Sequence, residues 1–251
     1  MNDDLALLVD AARAAGEIAL GYFKRDPKVW IKGASSPVSE ADIAADEALH
    51  RMLTAARPDY GWLSEESVDT PARLDRRRVF VVDPIDGTRG FIDGHPDWCV
   101  SVAVVEGDTP AAAALYAPAR EEMFTAALEA GARLNGAPIA VSGRTALAGA
   151  RVAGPARHLK VMAEHGMDAT ERRFTPSLAY RFALVAAGRV DVATARSGAY
   201  DWDLAAVDLL VHEAGGTLRD LGGGRLRFNG VEPRVVAEAE AQHGASGSSA
   251  R

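Results

Sequence analysis

The residues best suited to chemistry are acidic and fall in three separated groups: Glu65-Glu66, Asp83-Pro84-Ile85-Asp86-Gly87-Thr88 and Asp201-Trp202-Asp203. In the middle group, two carboxylates stand three positions apart where the hydrophobic run Arg78-Val79-Phe80-Val81-Val82 stops. The glycine that follows lets backbone amides approach a ligand. Carboxylates are hard oxygen donors suited to Mg²⁺, and two such ions roughly 3.5–4 Å apart can hold both the attacking and the leaving oxygen of a phosphoryl transfer. Asp83 is placed to bridge such a pair. Each group also has a plainer reading. The middle string is what an Asx-turn looks like, adjacent glutamates commonly mark a solvated loop, and Asp201 ahead of an apolar segment can be a helix cap. Together they supply the several hard ligands that a multi-metal phosphatase needs, and helix starts add free amides for a phosphoryl group.

The elements that must position these groups follow from periodicity. Leu5 to Phe23 has apolar residues at helical spacing, with acids ahead of it. Val29-Trp30-Ile31 reads as a short strand ending at Lys32-Gly33, and Ser35-Ser36-Pro37 breaks the pattern. A helix from Ser39 to Ala56 begins with a capping box in which Asp42 is the shorter acid, so Asp42 falls in a first helical turn. Tyr60 to Leu63 and Arg78 to Val82 read as strands, the second ending at Asp83. Trp98 to Val105, Ala111 to Tyr116 and Met123 to Ala126 form an antiparallel meander, which the acidic loop precedes. Beyond Ser142 strand and helix signals alternate: strands at Arg151-Val152-Ala153, Val190 to Ala195 and Thr217 to Asp220, and helices over Ala156 to His165, Ser177 to Ala187 and Leu204 to Ala214. The expectation is an α+β half over 1–141, an α/β half over 142–237 and a disordered Ala/Gly/Ser-rich tail over 238–251. No internal repeat is visible.

Composition narrows the partners. The chain has 251 residues, 48% of them hydrophobic, enough for an ordinary core. A net charge of -7 argues against a surface that coats nucleic acid, but not against an anionic substrate, because bound cations invert the local field. One cysteine, Cys99, excludes an internal disulfide, and its strand-like surroundings make it a buried apolar thiol. The first twenty residues lack a cationic region ahead of their apolar pattern, and no apolar run reaches spanning length, so the expectation is a cytoplasmic protein with no membrane partner.

With these residues in hand, the chain resembles the inositol monophosphatase superfamily of lithium-sensitive phosphatases. Three motifs occur in order: Ser64-Glu65-Glu66-Ser67, Asp83-Pro84-Ile85-Asp86-Gly87-Thr88, and Trp202-Asp203-Leu204-Ala205 followed by Glu213-Ala214-Gly215-Gly216. The resemblance runs from about Leu5 to Gly230 and implies a layered αβαβα sandwich of the inositol monophosphatase and fructose-1,6-bisphosphatase type. It implies two or three Mg²⁺ ions, with Mn²⁺ an alternative. Glu65, Asp83 and the Ile85 carbonyl would hold one; Asp83, Asp86 and Asp203 a second; Glu65 would help a third. Thr88 paired with Asp42 would orient the attacking water, Glu66 would support the ligands, and the amides of Gly87 and Thr88 would hold phosphate. Lys32 lies near the entrance in that layout, although a surface lysine is the plainer reading. Relatives are often homodimers.

For the substrate, Ser36 to Ile43, Leu63 to Glu66 and Asp201 to Asp203 resemble the CysQ-type nucleotidases, which take the 3′-phosphate from adenosine 3′,5′-bisphosphate. Arg196 suits a second anionic group there, and Ser177, at the start of the substrate-side helix, joins the expected substrate contacts. Against this, Arg89 is followed by Gly90-Phe91, Pro176-Ser177 replaces a glycine-led turn, and the segment 142–175 is short. Phosphatases of inositol 1-phosphate or histidinol phosphate are the alternative, and a non-catalytic metal- or phosphate-binding homologue is a further one.

Overall fold

The computed structural model describes residues 3–33, 35–164, 169–195, 198–220, 222–231 and 239–243. Along the chain these form α1 (Asp3–Tyr22), β1 (Val29–Lys32), β2 (Ser36–Ser39), α2 (Glu40–Ala56), β3 (Gly61–Ser64), β4 (Arg78–Asp86), α3 (Thr88–Ile92), β5 (Cys99–Glu106), β6 (Thr109–Ala117), β7 (Glu122–Ala127), β8 (Ala132–Leu134) and β9 (Ala137–Ile139). There follow β10 (Ala150–Gly154), α4 (Ala156–Glu164), β11 (Ala169–Phe174), α5 (Leu178–Ala186), β12 (Val192–Thr194), α6 (Asp201–Glu213), β13 (Gly216–Asp220) and β14 (Ala239–His243).

Strands β3 to β9 form one sheet in sequence order, with β3 parallel to β4 and the rest antiparallel. A second sheet runs β11-β10-β12-β14-β13, parallel over its first three strands. Because β4 and β5 alternate with period two and are covered on both sides, they are apolar over residues 79–82 and 102–105. Phe80, Val82, Val100, Val102 and Val104 face α1 and α2. Val79, Val81, Ala103 and Val105 face the opposite way, into the cluster that contains α5 and α6. Helix α6 is buried nearly all round, as a helix between two sheets must be. With α4 against β10 and β11, the layers run helices, sheet, helices, sheet, helix, the αβαβα order expected. The large cluster extends from Leu63 to Phe228, so one core joins both halves of the chain.

Four local expectations are corrected. Ser36–Ser39 does not merely break a pattern; it pairs antiparallel with Val29–Lys32 as a hairpin. Strand β4 continues through the acidic string to Asp86, so that string lies inside the sheet rather than in a loop ahead of it. Helix α6 begins at Asp201 instead of Leu204. Ala239–His243, placed in the expected disordered tail, lies between β12 and β13 as a strand, where backbone pairing on both sides outweighs its weak side-chain pattern. No helix among the described residues is long and apolar enough to cross a membrane.

Candidate metal centre and active site

The site is built on an irregularity in β4. Asp83 pairs with Ser101 of β5 and Asp86 with Cys99, so three steps along β4 span two along β5. In a regular strand residues three apart point to opposite faces; one extra residue returns both carboxylates to the same side. Asp83 Oδ1 accepts the Ile85 amide at 3.0 Å, so the Asx-turn is present and fixes the bulge instead of competing with a ligand role. Gly87 then turns the chain at φ +94°, and a Cβ there would sit 3.0 Å from Ser177 Cα, which reserves the position for glycine.

Two neighbours complete the cluster. β3 runs parallel to β4 with Ser64 opposite Val82, and the Glu65 amide donates to the Val82 carbonyl at 3.2 Å, which sets Glu65 beside Asp83. Asp203 stands in the first turn of α6, where its Oδ2 accepts the Tyr200 amide at 2.6 Å and caps the helix. Asp83, Asp86 and Asp203 each offer a carboxylate oxygen within 4.8 Å of the others. They open on a cleft of about 540 Å³, which Glu65, Thr88, Arg89, Arg157, His158, Tyr200 and Trp202 also line.

Beside the cluster, Thr88 Oγ1 lies 3.0 Å from Asp42 Oδ1 and 3.0 Å from the Ile85 carbonyl. The capping box at the start of α2 forms as expected: the Ser39 amide donates to Asp42 Oδ2 at 2.8 Å, leaving Oδ1 for Thr88. A device that begins a helix thus also aims a carboxylate into the site.

Electrostatically the cluster is strained without a cation. Burial, then Glu65, Asp86 and Asp203, pushes the Asp83 carboxyl well above its usual range. Burial, then Asp86, does the same to Asp203. Asp86 is held at about 6, because burial is partly offset by the Ser177 hydroxyl, the Ala179 amide and Arg181. Glu66 rises to about 7: burial outweighs its 2.6 Å ion pair with Lys32, and Glu65 adds repulsion. Burial also raises Asp42, against the hydrogen bonds from Ser39 and Thr88. The largest charge interactions reaching Asp83 all come from carboxylates, so the donor set suits a hard divalent ion, which would replace mutual repulsion with attraction.

The structure brings Glu65, Asp83, Asp86, Asp203, Thr88, Asp42 and Gly87 to one place. Glu66 sits behind Glu65, and Lys32, which reads more plainly as a surface lysine, is 3.0 Å from Glu65 Oε1 and 2.6 Å from Glu66 Oε1. Ser177 is corrected: it is fully buried, its hydroxyl donates to Asp86 Oδ2, and its oxygen accepts the Tyr180 amide at 2.9 Å, so it positions the Asp86 carboxylate and does not line the cleft. Arg196 lies outside the described residues. Asp201 points away and accepts the Asn229 amide at 2.6 Å. Cys99 is buried, with its thiol pushed up by burial, which removes it as a nucleophile. Sequence reasoning missed Arg181, which is buried and donates to the carbonyls of Ser177 and Thr194, and missed Arg157 and His158 on α4. Their one sequence signal is position, at a buried helix face and a helix start after a strand.

Against known proteins, the family described as inositol monophosphatase family matches residues 1–250. Nus factor SuhB of Xylella fastidiosa is 36% identical over 228 residues, covering 86% of this chain and 82% of the relative. A histidinol-phosphatase of Chlorobaculum parvum is 34% identical over 232 residues, covering 89% and 88%. Among solved structures, the Thermotoga maritima IMPase superposes with a TM-score of 0.86 at 27% identity, covering 96% of this chain and 92% of that one.

Proposed function

The chain belongs to the inositol monophosphatase family, and from that premise we propose that it is a Mg²⁺-dependent phosphomonoesterase acting on a small phosphorylated metabolite. One observation carries the reading: Asp83, Asp86 and Asp203 converge within 4.8 Å in a cleft that also holds the Thr88–Asp42 pair. Glu65, Asp83 and the Ile85 carbonyl would hold one ion, and Asp83, Asp86 and Asp203 a second, with Glu65 open to a third. Mn²⁺ accepts the same donors. Divalent ions bound there supply Lewis-acid stabilisation of charge on the phosphoryl oxygens.

The protein's own groups do the rest. Thr88 donates its hydroxyl proton to Asp42, which leaves its oxygen lone pairs to accept a hydrogen bond from water and aim that water at phosphorus. The amides of Gly87 and Thr88 open α3 without helical acceptors and suit phosphate oxygens. Water attacks in line, its oxygen bonds to phosphorus as the ester P–O bond breaks, one of its protons passes to the leaving alkoxide and the other stays on phosphate; no covalent phosphoenzyme is needed.

Among substrates, the motif likeness supports the 3′-phosphate of adenosine 3′,5′-bisphosphate, giving AMP and phosphate. Inositol 1-phosphate and histidinol phosphate are the alternatives, supported by the family description and by the histidinol-phosphatase relative. The Nus factor name of the Xylella relative supports a further reading in which the fold serves a macromolecular partner. Phosphate release with Mg²⁺, with and without EDTA, across the three substrates separates these. Metal-dependent release that favours one substrate by orders of magnitude assigns it, and no release from any phosphomonoester defeats the enzymatic reading in favour of a binding role.

A further inference from the structure

Arginines line the cleft beside its carboxylates. Its described arginines are Arg89, Arg157 and Arg181. Two have evident structural occupation. Arg181 donates to the carbonyls of Ser177, Thr194 and Pro176, and Arg89 donates to the Ser35 carbonyl. Arg157, in the first turn of α4, is exposed and forms no hydrogen bond or ion pair with any described residue. Its neighbour His158 is tied by Nδ1 to Thr194 Oγ1 at 3.1 Å, which anchors the start of α4 against β12 while leaving Arg157 at the cleft.

An arginine lining a site whose carboxylates are suited to metal ions has two available roles. It can neutralise those carboxylates, or it can meet an anion that the metals do not hold. The first is disfavoured, because the charges that offset repulsion at Asp86 and Asp203 come from Arg181, and those that pair with Glu65 and Glu66 come from Lys32. We propose that Arg157 is a specificity-determining residue that binds a second anionic group, phosphate or carboxylate, on the substrate's leaving-group side. The planar guanidinium can grip either group through two parallel N–H donors, and a cleft of about 540 Å³ has room for a nucleotide-sized or smaller substrate. This rests on the phosphomonoesterase reading and adds to it a substrate class: phosphomonoesters with a second negative charge.

The test uses matched compounds that differ only in the second anion: adenosine 3′,5′-bisphosphate against 3′-AMP, and 2-phosphoglycerate against glycerol 2-phosphate. Each competes with p-nitrophenyl phosphate in the presence of Mg²⁺, so the preference is read as a ratio of inhibition constants whether or not the compound is turned over. A charge-assisted hydrogen-bonded pair predicts a ratio of about tenfold or more in at least one pair. That ratio should fall toward one in Arg157→Gln and be partly restored in Arg157→Lys, which keeps the charge and loses the fork. Ratios near one in both pairs, or a ratio that Arg157→Gln leaves in place, overturn the proposal. Failure to hydrolyse p-nitrophenyl phosphate at all is a separate result, and it counts against the phosphatase reading itself.

Discussion

Ser177 and Asp86, 91 positions apart in the chain, are joined by a hydrogen bond from the serine hydroxyl to Asp86 Oδ2, and the Ala179 amide reaches the same oxygen at 2.7 Å. The start of α5 is therefore a clamp on a carboxylate of the cluster. Both donors meet one oxygen, and Asp86 still offers a carboxylate oxygen within 4.8 Å of those of Asp83 and Asp203. The same division of labour recurs at Asp203, where Oδ2 caps α6, and at Asp42, where Oδ2 serves the capping box. Each of these acids thus has one oxygen fixed by a backbone amide.

Ser177→Ala removes one of those donors from a buried carboxylate. A lost hydrogen bond to a charged group costs about 1.5–3 kcal/mol, but Asp86 can recover part by protonating. We expect a fall in thermal midpoint without metal, a higher Mg²⁺ requirement, and a drop in kcat of roughly tenfold. A Mg²⁺ titration of activity checks this, and an unchanged Mg²⁺ requirement would show that Ala179 alone fixes Asp86.

Asp83→Asn separates fold from function more sharply. The substitution keeps the shape of the Asx-turn, because an amide oxygen still accepts from Ile85, but it removes the charge at the centre of the cluster. Turnover should be nearly abolished, while the metal-free protein should become more stable, since mutual repulsion among Asp83, Glu65, Asp86 and Asp203 is relieved. Calorimetry in EDTA reads the stability, and a loss of stability there would contradict the repulsive arrangement.

Much of this site could be read along the chain, and what could not has a common physical cause. Asp83, Asp86 and Glu65 stand next to strand signals, and Ser39 with Asp42 is a local capping pattern, so short-range rules find them. The bulge that turns Asp83 and Asp86 to one side depends on register against β5, which no local pattern contains. Ser177 reads as an ordinary helix cap until α5 is packed against β4, and it is indeed that cap. Lys32 meets Glu66 across 34 positions, from an exposed hairpin whose second strand contains a proline. Strands β8, β9 and β11 have no strand pattern of their own for a different reason: they are short or strongly charged, and they are strands because a neighbouring strand offers them partners. The helix that carries Asp203 starts earlier than its sequence suggests, because Asp201-Trp202-Asp203 reads as a cap ahead of the apolar run, whereas Tyr200 takes the N-cap position.

Thr88 tests the catalytic assignment. Its Oγ1 lies 3.0 Å from both Asp42 Oδ1 and the Ile85 carbonyl, and one hydroxyl proton can serve only one of them at a time. Thr88→Ala should lower kcat by about 10²-fold, the scale of misplacing a reacting group, because the attacking water loses the oxygen that aims it, with a smaller change in the Mg²⁺ requirement. Thr88→Ser keeps the oxygen and should retain most activity. Equal losses in both variants would mean that the methyl group's packing, and not the hydroxyl, is what matters.

The pH dependence of stability follows from the raised carboxyls, and its sign is opposite to the usual aspartate case. Asp86 moves from 3.8 to about 6 and Glu66 from 4.5 to about 7, each chiefly through burial. An acid whose folded value lies above its unfolded value binds more protons in the folded state between the two, so stability falls as pH rises through that interval. The metal-free protein should therefore lose stability as pH rises from about 4 to 7. Asp201 and Asp208, raised to about 6 by burial away from the cluster, contribute to the same slope. Asp191, Glu106 and Asp108 have values lowered by arginine partners, so their contribution has the opposite sign. Saturating Mg²⁺ favours the ionised cluster in the folded state, so it should remove the share of the slope due to Asp86 and leave that due to Asp201 and Asp208. Thermal midpoints from pH 4 to 8, in EDTA and in Mg²⁺, give two curves that should diverge upward from about pH 5. Parallel curves would show that the carboxylates of the cluster do not take up the ion.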